Sequence, residues 1–396
     1  MHPNKRLIMT GMAAAAFIGP FTQTVYIPSL VELGQDFGVG MALANLTISL
    51  FVGILALSGF IVGPLADRYG RRRLLLPGLC LFVLGSLLCL FAPGYLAFLG
   101  GRVLQAFGVS ISLAVAAAVI ADVYPPQERA AALSLYQFMA YLGPVLGPVV
   151  GGLIAHSLSW QWAFALLAGL GLLVLLYNAR VLPETLPPGQ APAPLSFGVL
   201  GGIFSNRSAA AIMLVAFGQF YGYYSFLVFL PQLLDRHFEL GVAARGFAFV
   251  PLTAGLLFGT LGARFWSQRM AHGQQIALAS YLIAADVLVL WGLLVFGQLS
   301  FALLSGLLLV YGAALGGSLP AQTALLVNLF SHSRATVIGA FNSVRFAGAA
   351  LGPLLGAWIA HRAGLPWVFL TVGTLLLCAS LLAQRRLCRA LAPARS

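Results

Sequence analysis

Charged residues are scarce in this chain of 396 residues, and acidic ones are the scarcest. Only 8% of the residues are charged, with 9 Asp and Glu against 21 Lys and Arg, while 60% are hydrophobic. The mean hydropathy is +0.96. A soluble domain carries about 25% charged residues, so this composition cannot cover a water-facing surface. It excludes a soluble protein, and because each spanning helix takes about 20 apolar residues it leaves no room for a separate catalytic domain.

The chain also lacks the spacings that metal, thiol or nucleophile chemistry requires. Cys80, Cys89, Cys378 and Cys388 show neither paired metal-ligand spacing nor an extracellular disulfide framework, and we expect buried apolar thiols. The 6 histidines fall mostly in loops or at the ends of apolar runs, with no nucleophile–base or zinc motif beside them. The sequence therefore predicts no metal site, no cofactor and no enzymatic activity.

The net charge of +12 does not indicate nucleic-acid binding, because that function gathers basic residues on one solvated domain. Here they are scattered through short loops. Arg102 and Arg345 lie inside apolar runs, and Arg236, Arg245 and Arg362 fall in loops on one side. All other Lys and Arg fall on the side of the N-terminus. Because cytoplasmic loops are enriched in Lys and Arg, we expect both termini in the cytoplasm, with the chain in a bacterial cytoplasmic (inner) membrane.

Twelve apolar runs are separated by charged or Pro/Gly-rich turns. They lie near residues 7–28, 42–65, 74–92, 95–121, 131–155, 162–182, 209–233, 246–266, 275–296, 299–326, 335–360 and 366–384. The first run is longer than the apolar core of a signal peptide and a second run follows closely, so we expect an uncleaved first helix. The sequence predicts an all-α membrane protein that spans twelve times and contacts lipids.

The two halves of the chain repeat each other. Residues that rarely match by chance align at offsets of 205 and 203 residues: Gly147-Pro148 with Gly352-Pro353, Trp162 with Trp367, and Pro28 with Pro231. We predict two pseudo-symmetric six-helix bundles, residues 1–182 and 209–396, joined by a Pro/Gly/Ala-rich cytoplasmic linker over 183–208. Duplicated halves are typical of transporters that expose a central site alternately to each side.

The loop after the second run reads Gly-Pro-Leu-Ala-Asp-Arg-Tyr-Gly-Arg-Arg-Arg over residues 63–73. Its glycines permit a tight turn, and its acid can pair with arginine or with a helix N-terminus. The loop resembles the signature loop of the major facilitator superfamily, and the resemblance covers essentially the whole chain. It implies the twelve-helix fold of that superfamily and a latch between the halves, here formed by Gly63, Asp67, Arg68, Gly70, Arg71, Asp122 and Arg129. A merely topogenic basic loop is the alternative.

The fourth run contains Arg102 and Gln105, one helical turn apart. An arginine deep in a span costs about 2.5 to 3.5 kcal/mol, so it should face a partner or a watery cavity. The pair resembles the fourth-helix motif of the superfamily, in which the arginine assists proton handling, although Ala106 replaces the usual glycine. Two interpretations stay open: a proton-coupling residue, or an arginine satisfied by backbone carbonyls.

The fifth run carries glycines four residues apart together with two prolines. Such glycines let a neighbouring backbone approach closely, and prolines bend a helix. The pattern is similar to the antiporter motif of drug-exporting superfamily members, with Gly143, Gly147, Pro148, Gly151 and Gly152 as its elements here. The resemblance favours export over uptake, and glycine-rich packing alone is the alternative.

Three shorter segments are similar to the bicyclomycin/chloramphenicol-resistance (Bcr/CflA) branch of the drug:proton antiporters. They are Asp122 with 125–129, the segment 160–164, in which we expect Trp160 to be an interfacial residue, and the segment 182–186. The first-helix segment 22–28 also resembles this branch, but Thr24 stands where members commonly have an acid.

Threonine does not titrate, so the resemblance leaves proton coupling without its usual residue. Glu32 and Asp36 lie beyond the outer end of the first run and are expected to be solvated loop residues. Asp286, inside the ninth run, is the second proton-coupling candidate beside Arg102, because a charge there is costly. A structural role for Asp286 is the alternative.

Polar and aromatic residues on several runs are candidates for lining the substrate cavity. They are Gln23, Thr24, Tyr26, Gln105, Gln137, Tyr141, Gln219, Tyr223, Asn342 and Arg345. Aromatic surface with a few hydrogen-bonding groups suits amphipathic organic substrates. Arg345 suits an anionic or oxygen-rich substrate, or serves as a counter-charge to Asp286. Ordinary packing is the alternative for the tyrosines.

The main hypothesis is therefore proton-driven export of small amphipathic molecules by alternating access, the substrate being a drug, as in antibiotic resistance, or a secreted metabolite such as a siderophore. The first alternative is a facilitator or uptake carrier that needs no proton. The second is a non-transporting membrane receptor or assembly factor that kept the fold.

Overall fold

The structure is a computed structural model that describes residues 5–59, 61–186, 197–330 and 334–390. These residues form helices joined by short turns, with no strand among them. The α-helices in chain order are α1 Lys5–Thr24, α2 Leu30–Asp36, α3 Met41–Ser58, α4 Val62–Tyr69, α5 Arg71–Leu90, α6 Tyr95–Val123, α7 Pro126–Ser157, α8 Gln161–Val181, α9 Phe197–Ser205, α10 Arg207–Phe238, α11 Val242–Phe247, α12 Val250–Arg269, α13 His272–Val295, α14 Phe301–Leu329, α15 Arg334–Ala363 and α16 Leu365–Ala390.

Twelve segments of the described residues are long and apolar enough to cross a membrane. The first, Lys5–Asp36, combines α1 and α2, and the eighth, Val242–Ala263, combines α11 with most of α12. Large apolar side chains such as Leu57, Leu96 and Phe258 are more than half exposed along these segments. Apolar surface of this kind suits contact with lipid rather than water. The prediction of an all-α protein with twelve spans is confirmed.

Prolines explain where two of the predicted spans are interrupted. Proline has no N–H to donate, and its ring clashes with the carbonyl four residues earlier. Accordingly α1 ends at Thr24, four residues before Pro28, and a 3-10 turn leads into α2. The predicted second run is likewise divided into α3 and α4, with Pro64 in the first turn of α4, where a missing N–H is tolerated.

The segment between the two halves contains a helix that the sequence did not predict. Within the predicted linker, α9 covers Phe197–Ser205, and α10 begins directly afterwards. The side chain of Asn206 accepts hydrogen bonds from the backbone N–H groups of Ser208 (3.0 Å) and Ala209 (3.1 Å), which caps the N-terminus of α10. A helix boundary therefore lies close to the predicted end of the linker, and the boundaries of the two bundles stay a prediction.

The helices form two compact units. One contains residues 1–195 together with the short segment Gly241–Phe247, and the other contains residues 196–240 and 248–396. The segment that holds α11 follows α10 in the chain, yet it packs against α7 of the first unit. The sequence repeat did not predict this exchange.

Each unit repeats the helix pairs of the other. In the first unit α1 packs on α7, α5 on α6, α5 on α8, and α3 on α6. In the second unit α10 packs on α15, α13 on α14, α13 on α16, and α12 on α14. These are the same pairs when the first to sixth spans are matched with the seventh to twelfth. The prediction of two pseudo-symmetric bundles agrees with this repeated packing.

Glycines of α7 bring its backbone against α1. A methyl group added at Gly147 would overlap the Thr24 hydroxyl, and one added at Gly151 would overlap the carbonyl oxygen of Val25. Because most of these neighbouring atoms belong to a backbone, they cannot move aside as a flexible side chain would. The contact therefore requires glycine, as small residues at helix contacts in membranes commonly do.

The same contact recurs in the second unit, 205 residues later. A methyl group at Gly348 would overlap the backbone of Phe217, and one at Gly352 would overlap the backbone of Tyr221. Three of the predicted antiporter-motif positions, Gly143, Gly147 and Gly151, thus have glycine counterparts in α15. Gly152 has no such counterpart, because Ala357 occupies the matching position.

The fold makes a direct prediction for Gly151→Ala. Alanine favours a helix more than glycine does, so propensity alone would stabilise α7. The added methyl group, however, meets the backbone of α1, and overpacking of this kind costs about 1–3 kcal/mol. We expect a lower unfolding temperature for purified Gly151→Ala in detergent.

Gly169→Ala on α8 is the matched control, since nothing lies within 4 Å of a methyl group there. We expect its unfolding temperature to equal or exceed that of the wild type. Equal unfolding temperatures for Gly151→Ala and the wild type would contradict the close α1–α7 contact.

Candidate functional site

A polar cluster lies in the interior of the first unit, around Arg102 of α6. Its Nη1 donates a hydrogen bond to Oε1 of Gln105 (2.7 Å), and Nε2 of Gln105 donates to the Ser86 hydroxyl of α5 (2.8 Å). The guanidinium group also lies over the rings of Tyr26 (4.6 Å) and Phe51 (4.2 Å). Cation–π contacts reach about 2 kcal/mol when the groups are desolvated, so the rings offset part of the burial cost.

Arg102 is fully buried, and no carboxylate pairs with it among the described residues. The partners of its side chain are an amide oxygen of α6 and two aromatic faces, one from Tyr26 just after α1 and one from Phe51 of α3. Tyr26 is held in turn by a hydrogen bond of 3.0 Å between its hydroxyl and that of Thr47. This arrangement differs from the backbone-carbonyl alternative of the sequence analysis, and the proton-coupling role of Arg102 stays a prediction.

Thr24 faces α7 at the glycine contact. Its hydroxyl lies within hydrogen-bonding distance of the carbonyl oxygens of Pro20 (3.1 Å), Phe21 (3.4 Å) and Gly143 (3.5 Å), and it is the donor in each case. A carboxylate at this position would bring negative oxygens against three carbonyl oxygens, and it would have to fit beside Gly147. The local geometry therefore suits a hydroxyl donor and disfavours an ionised acid.

Part of the predicted latch forms a charge cluster where α5 begins. Nε of Arg71 donates to Oδ2 of Asp122 at the end of α6 (3.0 Å), and the Thr185 hydroxyl donates to the same oxygen (3.3 Å). Nη2 of Arg72 donates to the carbonyl oxygen of Ala179 on α8 (2.6 Å). The cluster joins the start of α5 to the ends of α6 and α8 within the first unit.

Glu184 completes this cluster, and its role was missed by the sequence analysis. Its Oε1 accepts hydrogen bonds from the backbone N–H groups of Arg71 (2.7 Å), Thr185 (3.0 Å) and Leu186 (3.2 Å). Partial burial alone would raise the pKa of Glu184, but these backbone donors, with that of Arg73, outweigh it and lower the pKa. A carboxylate at the N-terminus of α5 also complements the helix dipole. The sequence signal that could have indicated this role is the position of Glu184 just after the sixth span.

The other predicted latch residues are less defined. Gly70 has a φ of 101°, which favours glycine, and a methyl group there would overlap the Glu184 carboxylate. Arg68 is exposed and lies over the Tyr69 ring at 5.4 Å. Gly63, Asp67 and Arg129 lie on described helices, but their side chains fall outside the described set.

A second contact of α7 involves the segment that holds α11. A methyl group at Gly152 would lie 3.0 Å from the Cα atom of Gly246, and one at Gly246 would lie 2.5 Å from the Pro148 carbonyl oxygen. The two antiporter-motif positions that do not contact α1 thus pack against α11.

An ion pair accompanies this packing. Nη2 of Arg245 donates to Oε1 of Glu32, with the arginine side chain 4% exposed and the glutamate side chain 35% exposed. The expectation that Glu32 and Asp36 are simple solvated loop acids is wrong. Glu32 pairs with Arg245, and Asp36 accepts a hydrogen bond of 2.6 Å from Nε1 of Trp160. Trp160 is also buried, against Phe37, Phe98 and Phe164, rather than placed at an interface.

The second unit has a polar core of its own, centred on Gln219 of α10. Nε2 of Gln219 donates to the hydroxyls of Ser280 on α13 and Ser318 on α14, both at 3.1 Å. Nε2 of Gln322 on α14 donates to Oε1 of Gln219 (2.8 Å). All four side chains are fully buried, so the amide of Gln219 is used within the bundle. The spacing of Ser318 and Gln322, four residues apart on one span, was a signal that the sequence analysis did not use.

An arginine and several rings form a further cluster between α10 and α15. Nη1 of Arg345 donates to Oδ1 of Asn342 (3.1 Å), and its guanidinium lies over Phe220 (4.0 Å) and Phe341 (5.2 Å). Tyr223 packs against Phe220 at 6.2 Å between ring centroids. The structure thus brings together three of the predicted cavity residues, Tyr223, Asn342 and Arg345, on two helices of the second unit. Their role as cavity residues stays a prediction.

The remaining predicted residues are more scattered. Asp286 is buried on α13 and Gln23 is buried on α1, whereas Gln137 is exposed on α7. The side chain of Tyr141 lies outside the described set. No cluster of three or more His, Cys, Asp or Glu side chains that could hold a metal ion occurs among the residues with described positions.

The sequence profile of the Major Facilitator Superfamily matches residues 12–353 of this chain. The chain belongs to the major facilitator superfamily. Members of this superfamily are transporters of small-molecule substrates, so this chain is a multi-pass membrane transporter and not an enzyme. The prediction of the superfamily and its fold is confirmed.

Several relatives carry transporter names. A transporter of Rickettsia bellii named as uncharacterized is 30% identical over 69% of this chain and 70% of its own length. The Bacillus subtilis MFS-type transporter YdgK is 26% identical over 86% of each chain. The Escherichia coli multidrug resistance protein MdtL is 31% identical over 49% of this chain and 51% of its own, so the match spans about half the length of MdtL.

Solved structures of other superfamily members share the fold. A bacterial homologue of the human lysosomal transporter Spinster has a TM-score of 0.79 at 19% identity and covers all of both chains. A D-xylose–proton symporter has a TM-score of 0.78 at 19% identity, over 96% of this chain and 97% of its own. The human organic anion transporter MFSD10 has a TM-score of 0.72 at 20% identity, over 96% of this chain and all of its own.

The cluster around Glu184 makes a testable prediction about pH. Glu184→Gln removes the charge and keeps an oxygen acceptor. Because the folded-state pKa of Glu184 is lowered, its ionised form stabilises the fold above the unfolded value of about 4.3, and this contribution is lost as the pH falls through the folded-state pKa. We expect the wild type to unfold at a higher temperature than Glu184→Gln at about pH 7, and the difference to vanish in acid.

Glu128→Gln is the matched control, because Glu128 pairs with Lys5 (3.1 Å) where both side chains are about half exposed. Exposed pairs contribute little, so we expect a small difference at every pH. A Glu184→Gln difference that stayed constant from neutral to acidic pH would contradict the stabilising role of the ionised carboxylate.

Proposed function

We propose that this superfamily member exports small amphipathic organic molecules by proton antiport with alternating access. The observation that carries the proposal is the glycine and proline pattern of α7 together with its contact to the α11 segment, where Gly152 and the Pro148 carbonyl meet Gly246. This pattern is similar to the antiporter motif of drug exporters. The partial match to the multidrug resistance protein MdtL supports the same direction of transport.

The branch proposal rests on three segments of the first unit. Asp122 pairs with Arg71, Glu184 caps α5, and Trp160 packs among Phe37, Phe98 and Phe164. Each segment that resembles the Bcr/CflA branch therefore has a specific contact. We infer membership of this branch, with a drug or a secreted metabolite such as a siderophore as substrate.

The cluster of Arg71, Asp122 and Glu184 is the proposed conformational latch. It fixes the start of α5 to the ends of α6 and α8, so the loop before α5 is held in one arrangement. The second-half equivalent, 268–273, contains no acid and cannot form the same cluster. We propose that the latch acts at the cytoplasmic end of a protein whose termini are both cytoplasmic, in a bacterial inner membrane.

Proton antiport supplies enough energy for this task. Each elementary charge that crosses about 100 mV releases about 2.3 kcal/mol, which sustains a gradient of roughly fiftyfold for a neutral substrate. A second candidate, a facilitator that needs no proton, is favoured by Thr24, whose hydroxyl donates to backbone where related proteins commonly have an acid. The third candidate is a receptor or assembly factor, and such a function would not require these contacts of α7.

The proposal predicts ATP- or lactate-energised uptake into everted membrane vesicles, which corresponds to export from a cell. Ethidium and chloramphenicol are suitable first probes, being small and amphipathic. We expect accumulation in vesicles with the wild-type protein, release of protons from the acidified lumen when the probe is added, and loss of both after collapse of the gradient.

Arg102→Ala removes the central member of the first polar core and should abolish proton-coupled accumulation. Arg269→Ala, at an exposed basic residue of α12 outside the proposed site, is the control. Counterflow that proceeds equally with and without a proton gradient would identify a facilitator instead. Accumulation without any movement of protons would contradict antiport.

A further inference from the structure

Asp286 is the acid that the second unit buries. Its residue exposure is 6%, and every other acidic side chain that the structure describes is more exposed. It lies midway along α13, which spans His272–Val295. Its Oδ2 has no hydrogen-bond partner among the described residues, and no basic side chain pairs with it there. A carboxylate in lipid-embedded protein is costly unless it is paired, so this acid needs an explanation.

The helices around Asp286 offer it no cation near the middle of the membrane. α13 packs on α14 and α16 and touches α10 and α12. The charged residues and histidines of these five helices lie toward helix ends: Arg207, Asp235, Arg236 and His237 on α10, Arg264 and Arg269 on α12, His272 on α13, and Arg385, Arg386 and Arg389 on α16. Their remaining titratable groups are Tyr221, Tyr223, Tyr224, Tyr281, Tyr311, Cys378 and Cys388.

Tyr311 lies on α14, a helix that packs on α13, close enough to Asp286 for an electrostatic interaction. Its hydroxyl is buried and donates a hydrogen bond of 3.0 Å to the carbonyl oxygen of Gln219 on α10. The contact is tight, because a methyl group at Gly222 would lie 2.6 Å from that hydroxyl. Tyr311 therefore links α14 to the backbone of α10.

The polar core described above ties the same three helices together. Ser280, on the same helix as Asp286, accepts a hydrogen bond from Gln219, and so does Ser318 of α14. α13, which carries Asp286, is thus tied to α10 through Gln219, and α14 is tied to α10 through both Gln219 and Tyr311. α10 also carries Tyr223, next to the aromatic cluster with Arg345.

We propose that Asp286 and Tyr311 form the proton-binding pair of this transporter and that α10 responds to its protonation state. The inference rests on the proposed proton antiport. When the carboxyl of Asp286 is protonated, the Tyr311 hydroxyl donates to the Gln219 carbonyl, as in the structure. When the carboxyl transfers its proton to water, the carboxylate attracts the Tyr311 hydroxyl away from that carbonyl. Protonation by water from the other side restores the first arrangement.

The first test needs no substrate. Infrared difference spectra of purified protein in liposomes, recorded between about pH 5 and about pH 9, report the carbonyl stretch of a protonated carboxyl that titrates in this range. We expect a band in the wild type that is absent in Asp286→Asn and shifted in Tyr311→Phe, which keeps the ring and loses the hydroxyl. Glu239→Gln, at an exposed acid after α10, should leave the band unchanged.

The second test is accumulation of ethidium or chloramphenicol in everted vesicles. One pH unit corresponds to about a tenfold gradient for each proton exchanged. We expect the ratio of accumulation with and without the pH gradient to rise about tenfold per unit in the wild type and in Glu239→Gln. In Asp286→Asn it should fall to about one while gradient-independent exchange of the probe continues.

The two tests separate this inference from the proposed function. A titrating band that persists in Asp286→Asn, or a pH-driven accumulation ratio that this variant retains, would overturn the proton-binding pair and leave antiport intact. A band that disappears in Asp286→Asn supports the pair even when no probe is moved by the wild type, and only the proposed export of these probes then fails. A band unaffected by Tyr311→Phe would overturn the role of Tyr311.

Discussion

Lipid offers no hydrogen bonds, and this constraint determines how the chain uses its few polar residues. Each unit pairs several of its buried polar side chains with one another. In the first unit the amide of Gln105 connects Arg102 with Ser86, and in the second Gln219 connects Ser280, Ser318 and Gln322. Both polar cores hold their spans together. The surrounding lipid is as apolar as the helix surfaces, so apolar contacts alone do little to select which helix faces meet.

Close backbone contacts between helices supply the rest of the packing specificity. Some of these contacts recur in both units, and others are particular to the first unit. The glycine contacts of α7 with α1 recur between α15 and α10, so they belong to the repeated architecture rather than to one direction of transport. What is particular to the first unit is Gly152 against Gly246, with the Glu32–Arg245 ion pair beside it. The contacts that distinguish α7 from its counterpart α15 are therefore those at Gly152, where α11 packs.

The number of spans, the two halves and the superfamily could be predicted from the sequence, because hydropathy, aligned prolines and glycines, and one loop motif are local signals. The candidate site was only partly predictable. Arg71 with Asp122, and Arg345 with Asn342, were named in advance, but Glu184, Ser280, Tyr311 and Gln322 were not assigned these contacts. Their partners lie 61 to 113 residues away in the chain. A single sequence carries no signal for such pairings. Two polar residues in an apolar run do not by themselves show whether they face another helix or the lipid.

The position of Thr24 bears on where a proton could be carried. Its hydroxyl is a donor to backbone carbonyls in a contact with no spare volume beside Gly147, so a group that does not titrate fills this position. The first unit keeps a cation, Arg102, stabilised by rings and an amide, with no carboxylate paired to it among the described residues. The buried acid lies in the second unit instead, on a helix that contacts the helix carrying Gln219. The proposed proton coupling would thus depend on movement of α10 against α13 and α14, in the unit that does not contain the cluster of Arg71, Asp122 and Glu184.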